Sequence, residues 1–63
     1  MSERSPVDDI LHRVNNLLGT IQIQSEVARS IGTVEAMTQA LDLIVESARR
    51  TGEELQVLRG RAD

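Results

Sequence analysis

The stretch Leu11–Leu18, LHRVNNLL, holds the only histidine in a 63-residue chain that has no cysteine, tyrosine, tryptophan or phenylalanine. An exposed imidazole is often neutral at pH 7, and its free ring nitrogen is then a nucleophile. Asn16 follows one helical turn after His12, where its amide can orient a water or a phosphoryl oxygen beside the ring. Gly19 and Ile23 continue the same stripe, with Val27 nearby. A glycine on that face lets a partner's backbone approach closely. Each feature also has a plainer explanation. A lone histidine on a helix is most often just solvated, and an i,i+4 asparagine arises by chance. Ile23 and Val27 read as ordinary exposed aliphatics or part of a broader bundle contact, with a docking surface for a partner helix as the functional alternative. Gly19 costs helix stability with no capping role to excuse it.

Other chemistries find little support. The carboxylates are dispersed, and neither a Ser/His/Asp triad nor a catalytic carboxylate pair is legible. Without cysteine there is no disulfide and no thiolate metal site. One histidine among scattered carboxylates is a poor metal set. No cofactor is expected. The net charge is -3 with interleaved signs, so no basic patch follows a phosphate backbone and no aromatic stacks on bases. Nucleic acid is not an expected partner. No apolar run reaches the roughly 20 residues of a membrane span, and MSERSPVDD lacks the apolar segment of a signal peptide. The expectation is a soluble, cytoplasmic, single-domain protein.

Two helices must position the histidine. Ser5 can cap the first, Pro6 suits its first position, and Asp8 and Asp9 complement the helix dipole. Val7, Ile10, Val14, Leu17, Ile21, Gln24, Ala28 and Ile31 then alternate in threes and fours. Leu11 and Leu18 widen this stripe. At about 100° per residue, His12 lies almost opposite it. Gly32 can end the helix in a left-handed conformation and Thr33 can cap the second. The second seam reads Val34, Met37, Leu41, Ile44, Ala48, Thr51, Leu55 and Leu58. Helix one is expected at about residues 6–30 and helix two at about 33–59, with a frayed RGRAD tail. Arg49–Glu53 and Glu46–Arg50 are surface i,i+4 pairs, Gly52 is a weak point, and Gln24 and Thr51 are polar interruptions in the seams. The short connection makes an antiparallel, all-α hairpin. A lone hairpin cannot cover its apolar faces, and chains below roughly 70–80 residues usually need a staple or an oligomer. A homodimer closing a four-helix bundle is the simplest solution.

DILHRVNNLLGTIQIQSEVA resembles the phosphoacceptor helix of sensor histidine kinases, which often carries His-Glu-x-Asn-Asn-x-Leu. ALDLIVESARRTGEELQVLRG is similar to the second helix of the same domain. The resemblance covers about Val7 to Gly60. It implies a dimeric four-helix dimerisation and phosphotransfer domain in which His12 accepts a phosphoryl group and passes it to a receiver aspartate of a response regulator. Asn16 matches the position that orients a water for receiver dephosphorylation, and Asn15 matches the first asparagine of the pair. Two departures stand out. Arg13 occupies the place of the acid that draws off the imidazole proton; it can instead steer a phosphoryl group or an acidic receiver surface. The chain also has no glycine-rich nucleotide motif and no room for an ATP-binding domain. The expectation is a stand-alone phosphotransfer-like bundle or a piece of a kinase, not a self-sufficient kinase.

Three functions follow. In the first, a kinase catalytic domain or a phosphorylated receiver loads His12, and Arg13, Asn15, Gly19 and Ile23 help to dock the partner. In the second, the dimer binds a receiver or a kinase, or inhibits the kinase, without chemistry. In the third, it is an oligomerisation hairpin with an idle histidine face. The first ranks slightly ahead of the second.

Overall fold

The computed structural model describes residues 5–62; the expectation about MSER and the final Asp63 fall outside them. Two helices, α1 (Pro6–Ile31) and α2 (Val34–Ala62), pack as an antiparallel hairpin. The ends form as the sequence predicts. Ser5 is the N-cap of α1, with its hydroxyl accepting from the Asp8 amide at 3.1 Å. Gly32 closes α1 at φ 73°, and its N–H donates to the Ala28 carbonyl. The Thr33 hydroxyl accepts from the Ala36 amide at 3.1 Å and starts α2. The far end lies beyond the expected residue 59: α2 runs through Gly60 to Ala62.

The Cα extents, 46 × 22 × 11 Å, describe a slab one helix thick. Its interior is correspondingly small. Ala28, Ala40, Thr51 and Leu58 are the buried residues among those described, and no side chain is completely enclosed. On α1 the expected seam faces α2: Ile10, Val14, Leu17, Ile21 and Gln24 are half-buried and Ala28 is buried. Its ends, Val7 and Ile31, are exposed.

The expected seam of α2 needs correction. Val34, Met37, Leu41 and Ala48 are exposed, whereas Ala36, Ala40 and Ser47 take their places beside Ile44, Thr51, Leu55 and Leu58. The face of α2 that meets α1 thus mixes alanine and serine with Ile44, Leu55 and Leu58. The larger aliphatics are displaced to a flank. At about 100° per residue, Met37, Leu41 and Val34 lie roughly 60–120° round α2 from Ala40. Val7, Leu11 and Leu18 are rotated in the same sense round α1 from Ala28. In an antiparallel pair these rotations point to the same side of the slab. One side is therefore largely apolar, with an open groove lined by Met37, Ala40, Leu41 and Ile44 near the loop. His12 stands on the other side.

Two glycine substitutions separate these constraints. Gly32→Ala forces an L side chain into the left-handed region and should destabilise the fold by about 1–2 kcal/mol. A Cβ at Gly52 meets nothing within 4 Å, so Gly52→Ala should stabilise it by up to about 1 kcal/mol. Urea denaturation monitored by helical circular dichroism measures both.

Candidate functional site

His12 lies two turns into α1 and is exposed. Its Nε2 is 3.4 Å from Asn16 Nδ2. When the asparagine amide donates, Nε2 carries the ring lone pair and the ring proton sits on Nδ1. The contact is long for a hydrogen bond. It orients the ring yet yields readily to an electrophile approaching Nε2. The Thr20 hydroxyl donates to the backbone carbonyl of Asn16 at 3.1 Å, so this bond leaves the Asn16 side chain free to turn.

Arg13 reaches across the hairpin rather than outward. Its Nη1 is 2.7 Å from Glu54 Oε2, with both side chains about 40% exposed. The two residues are 41 positions apart, so this ion pair reports the register of the hairpin. Counting equally toward the loop from each partner sets Asn16 level with Thr51 and Thr20 level with Ser47. All four, with Arg13 and Glu54, line one open groove of about 230 Å³ on the histidine side of the slab. Leu17 and Thr51 form its inner wall, and Arg50 stands at its α2 edge.

The charges along α2 are unevenly paired. Glu46 is 2.7 Å from Arg49 and 4.0 Å from Arg50. Arg49 also meets Glu53 at 3.2 Å. The Glu46 hydrogen bond, and then the charges of Glu46 and Glu53, raise the Arg49 pKa above its ordinary value. The expected Arg49–Glu53 pair is thus present, but Glu46 serves Arg49 more closely than the expected Arg50. Among the described residues no group of three or more His, Cys, Asp and Glu is arranged to hold a metal ion, and no helix is long and apolar enough to cross a membrane.

The sequence-derived residues therefore separate. His12 and Asn16 are adjacent. Gly19 and Ile23 continue the outward stripe, with Ile23 exposed and nothing within 4 Å of a Cβ built on Gly19. Arg13 belongs to the interhelical groove. Asn15 is exposed about 100° round the helix from Asn16, apart from the pair. Sequence reasoning missed Thr20, Ser47, Arg50 and Glu54 as neighbours of the site. The signal that finds them is the loop position, which fixes the register once Gly32 and Thr33 are taken as the turn. No protein-family model, curated protein or solved structure matches the chain.

A double-mutant cycle of Arg13→Ala and Glu54→Ala should give a coupling of about 0.5–1 kcal/mol, appropriate to a part-exposed pair. The coupling should shrink as salt is raised. Urea unfolding of the four proteins at two ionic strengths measures it. Gly19→Ala should raise stability by up to about 1 kcal/mol in the same assay.

Proposed function

We propose that this hairpin is a histidine-phosphotransfer-like module of a two-component phosphorelay, acting as a homodimer. The observation that carries the reading is the exposed His12 imidazole with Asn16 one turn away, 3.4 Å from Nε2 and off the helix–helix contact. The resemblance of HRVNNLL to the phosphoacceptor motif of sensor histidine kinases supports the same role.

In the loading step the Nε2 lone pair attacks phosphorus. An N–P bond forms as the bond from phosphorus to its leaving group breaks. That group is ADP when a kinase catalytic domain supplies ATP, or an aspartate carboxylate when a receiver domain is the donor. The ring then releases its Nδ1 proton to solvent. In the unloading step a receiver aspartate attacks the same phosphorus, and the imidazole leaves and regains a proton. Asn16, freed from Nε2, is placed to orient a water for hydrolysis of the receiver's phosphate. Ile23, Val27 and Leu43 are exposed aliphatics that supply apolar contact for a docked receiver domain.

The homodimer reading rests on the other flank. Val7, Leu11, Leu18, Met37 and Leu41 are each at least 45% exposed. A second copy covering them would complete a four-helix bundle and leave His12 outside. Leu11→Glu combined with Leu41→Glu should convert a dimer into a monomer in sedimentation equilibrium. A monomeric wild type would contradict this part of the reading.

A second reading has its own observation. Arg13, where the kinase motif carries an acid, is paired with Glu54 at 2.7 Å and offers no base for the imidazole proton. A dimer that docks on, or inhibits, a histidine kinase or response regulator without chemistry fits that feature. One experiment separates the two. Wild type and His12→Ala are incubated with histidine-kinase catalytic domains and ATP, or with phosphorylated receiver domains. Acid-labile phosphate is then counted. Label on the wild type alone, with helicity retained in the variant, is the expected result. Binding of the same partners without label on either protein supports the non-catalytic reading.

A further inference from the structure

We propose that the groove beside Asn16 is an oxyanion site, anchored by Arg50 and suited to a phosphate-type dianion. Two guanidinium groups and one carboxylate line it. Glu54 holds Arg13 at 2.7 Å. Arg50 is the more loosely paired of the two. Among the described residues the one carboxylate within 4.0 Å of Arg50 is Glu46, at that limit, and Glu46 is engaged by Arg49 at 2.7 Å.

The rest of the lining suits an acceptor-only ligand. Ser47, Thr51 and Asn16 line the groove, and their hydroxyls and amide are groups that can donate. The Thr20 hydroxyl already donates to the Asn16 carbonyl and is not counted. Thr51 is 8% exposed, so one wall is dry enough to strengthen a charged hydrogen bond. At about 230 Å³ the groove is smaller than the pockets that take drug-sized ligands, which begin near roughly 300 Å³. A tetrahedral oxyanion fits the size and the charge. Asn16 borders this groove and also contacts the His12 ring. The site itself does not depend on His12 becoming phosphorylated.

The test is an NMR titration of the 15N-labelled full chain at constant ionic strength, first with inorganic phosphate and then with acetyl phosphate. The Asn16 side-chain amide and the backbone amides of Ser47 and Thr51 should shift and saturate. Arg50→Gln should weaken binding about fivefold, the upper range for a part-exposed ion pair. Glu54→Gln, which releases Arg13, should tighten it. Tighter binding of acetyl phosphate supports the acyl phosphate of a partner protein as the natural ligand; equal binding supports free phosphate. No saturable shift, undiminished affinity in Arg50→Gln, or equal shifts around Arg29 and Arg59 would overturn the site. Arg50 is exposed and glutamine is a good helix former, so that variant alone decides if Glu54→Gln loses helicity. Loss of these shifts leaves the labelling of His12 open, and an unlabelled His12 leaves these shifts in place.

Discussion

The contact of α1 and α2, where Ala28, Ala40, Thr51 and Leu58 are buried, decides where every larger side chain goes. The slab that results is one helix thick. Such a layer encloses almost nothing. Four residues are buried among those described, and twelve large aliphatics remain exposed. At about 25 cal/mol per Å² of apolar surface removed from water, covering the Leu11–Leu41 side would be favourable. The same geometry leaves the opposite side polar near Asn16 and open to an incoming group. The dimer reading and the phosphoacceptor reading thus share one structural cause.

Much of this arrangement was legible in the sequence. Ser5 and Pro6 mark the start of α1, Gly32 and Thr33 mark the turn, and the threes-and-fours spacing marks the face of α1 that meets α2. The i,i+4 spacing correctly made His12 and Asn16 neighbours and set them away from the seam. What misled was the second seam. Periodicity finds the mean direction of all apolar residues on a helix, and on α2 that mean combines two faces. One is the small-residue contact with α1, centred on Ala40. The other is the larger aliphatic flank that includes Met37 and Leu41. Alanine and serine carry little hydrophobic weight, so periodicity does not mark Ala36, Ala40 and Ser47 although they lie on the face toward α1. The Arg13–Glu54 pair was out of reach for a different reason. It joins residues 41 positions apart and becomes visible only once the register of the hairpin is set.

That pair also changes how the residue beside His12 is understood. Read from the motif alone, Arg13 is a cation next to the nucleophile and a candidate for steering a phosphoryl group. In the folded chain its charge is compensated by Glu54 across the groove, and the more loosely paired guanidinium is Arg50 on α2, 4.0 Å from Glu46. Surface ion pairs contribute little to stability. Their larger consequence here is to determine which guanidinium remains available. Because Glu46 is engaged by Arg49, the availability of Arg50 is a property of a network along α2, not of any motif around the histidine.

The most direct test of the central claim loads the histidine without any partner. The chain is treated with phosphoramidate, a small N-phosphoryl donor that releases ammonia as its P–N bond is exchanged for one to the ring, and the imidazole is followed by 31P and 15N NMR. The account expects a single phosphoramidate-type signal, attached to Nε2 of His12 and discharged when a receiver domain is added. No phosphorylation of the ring, or a stable phosphohistidine that receiver domains leave untouched, would contradict it.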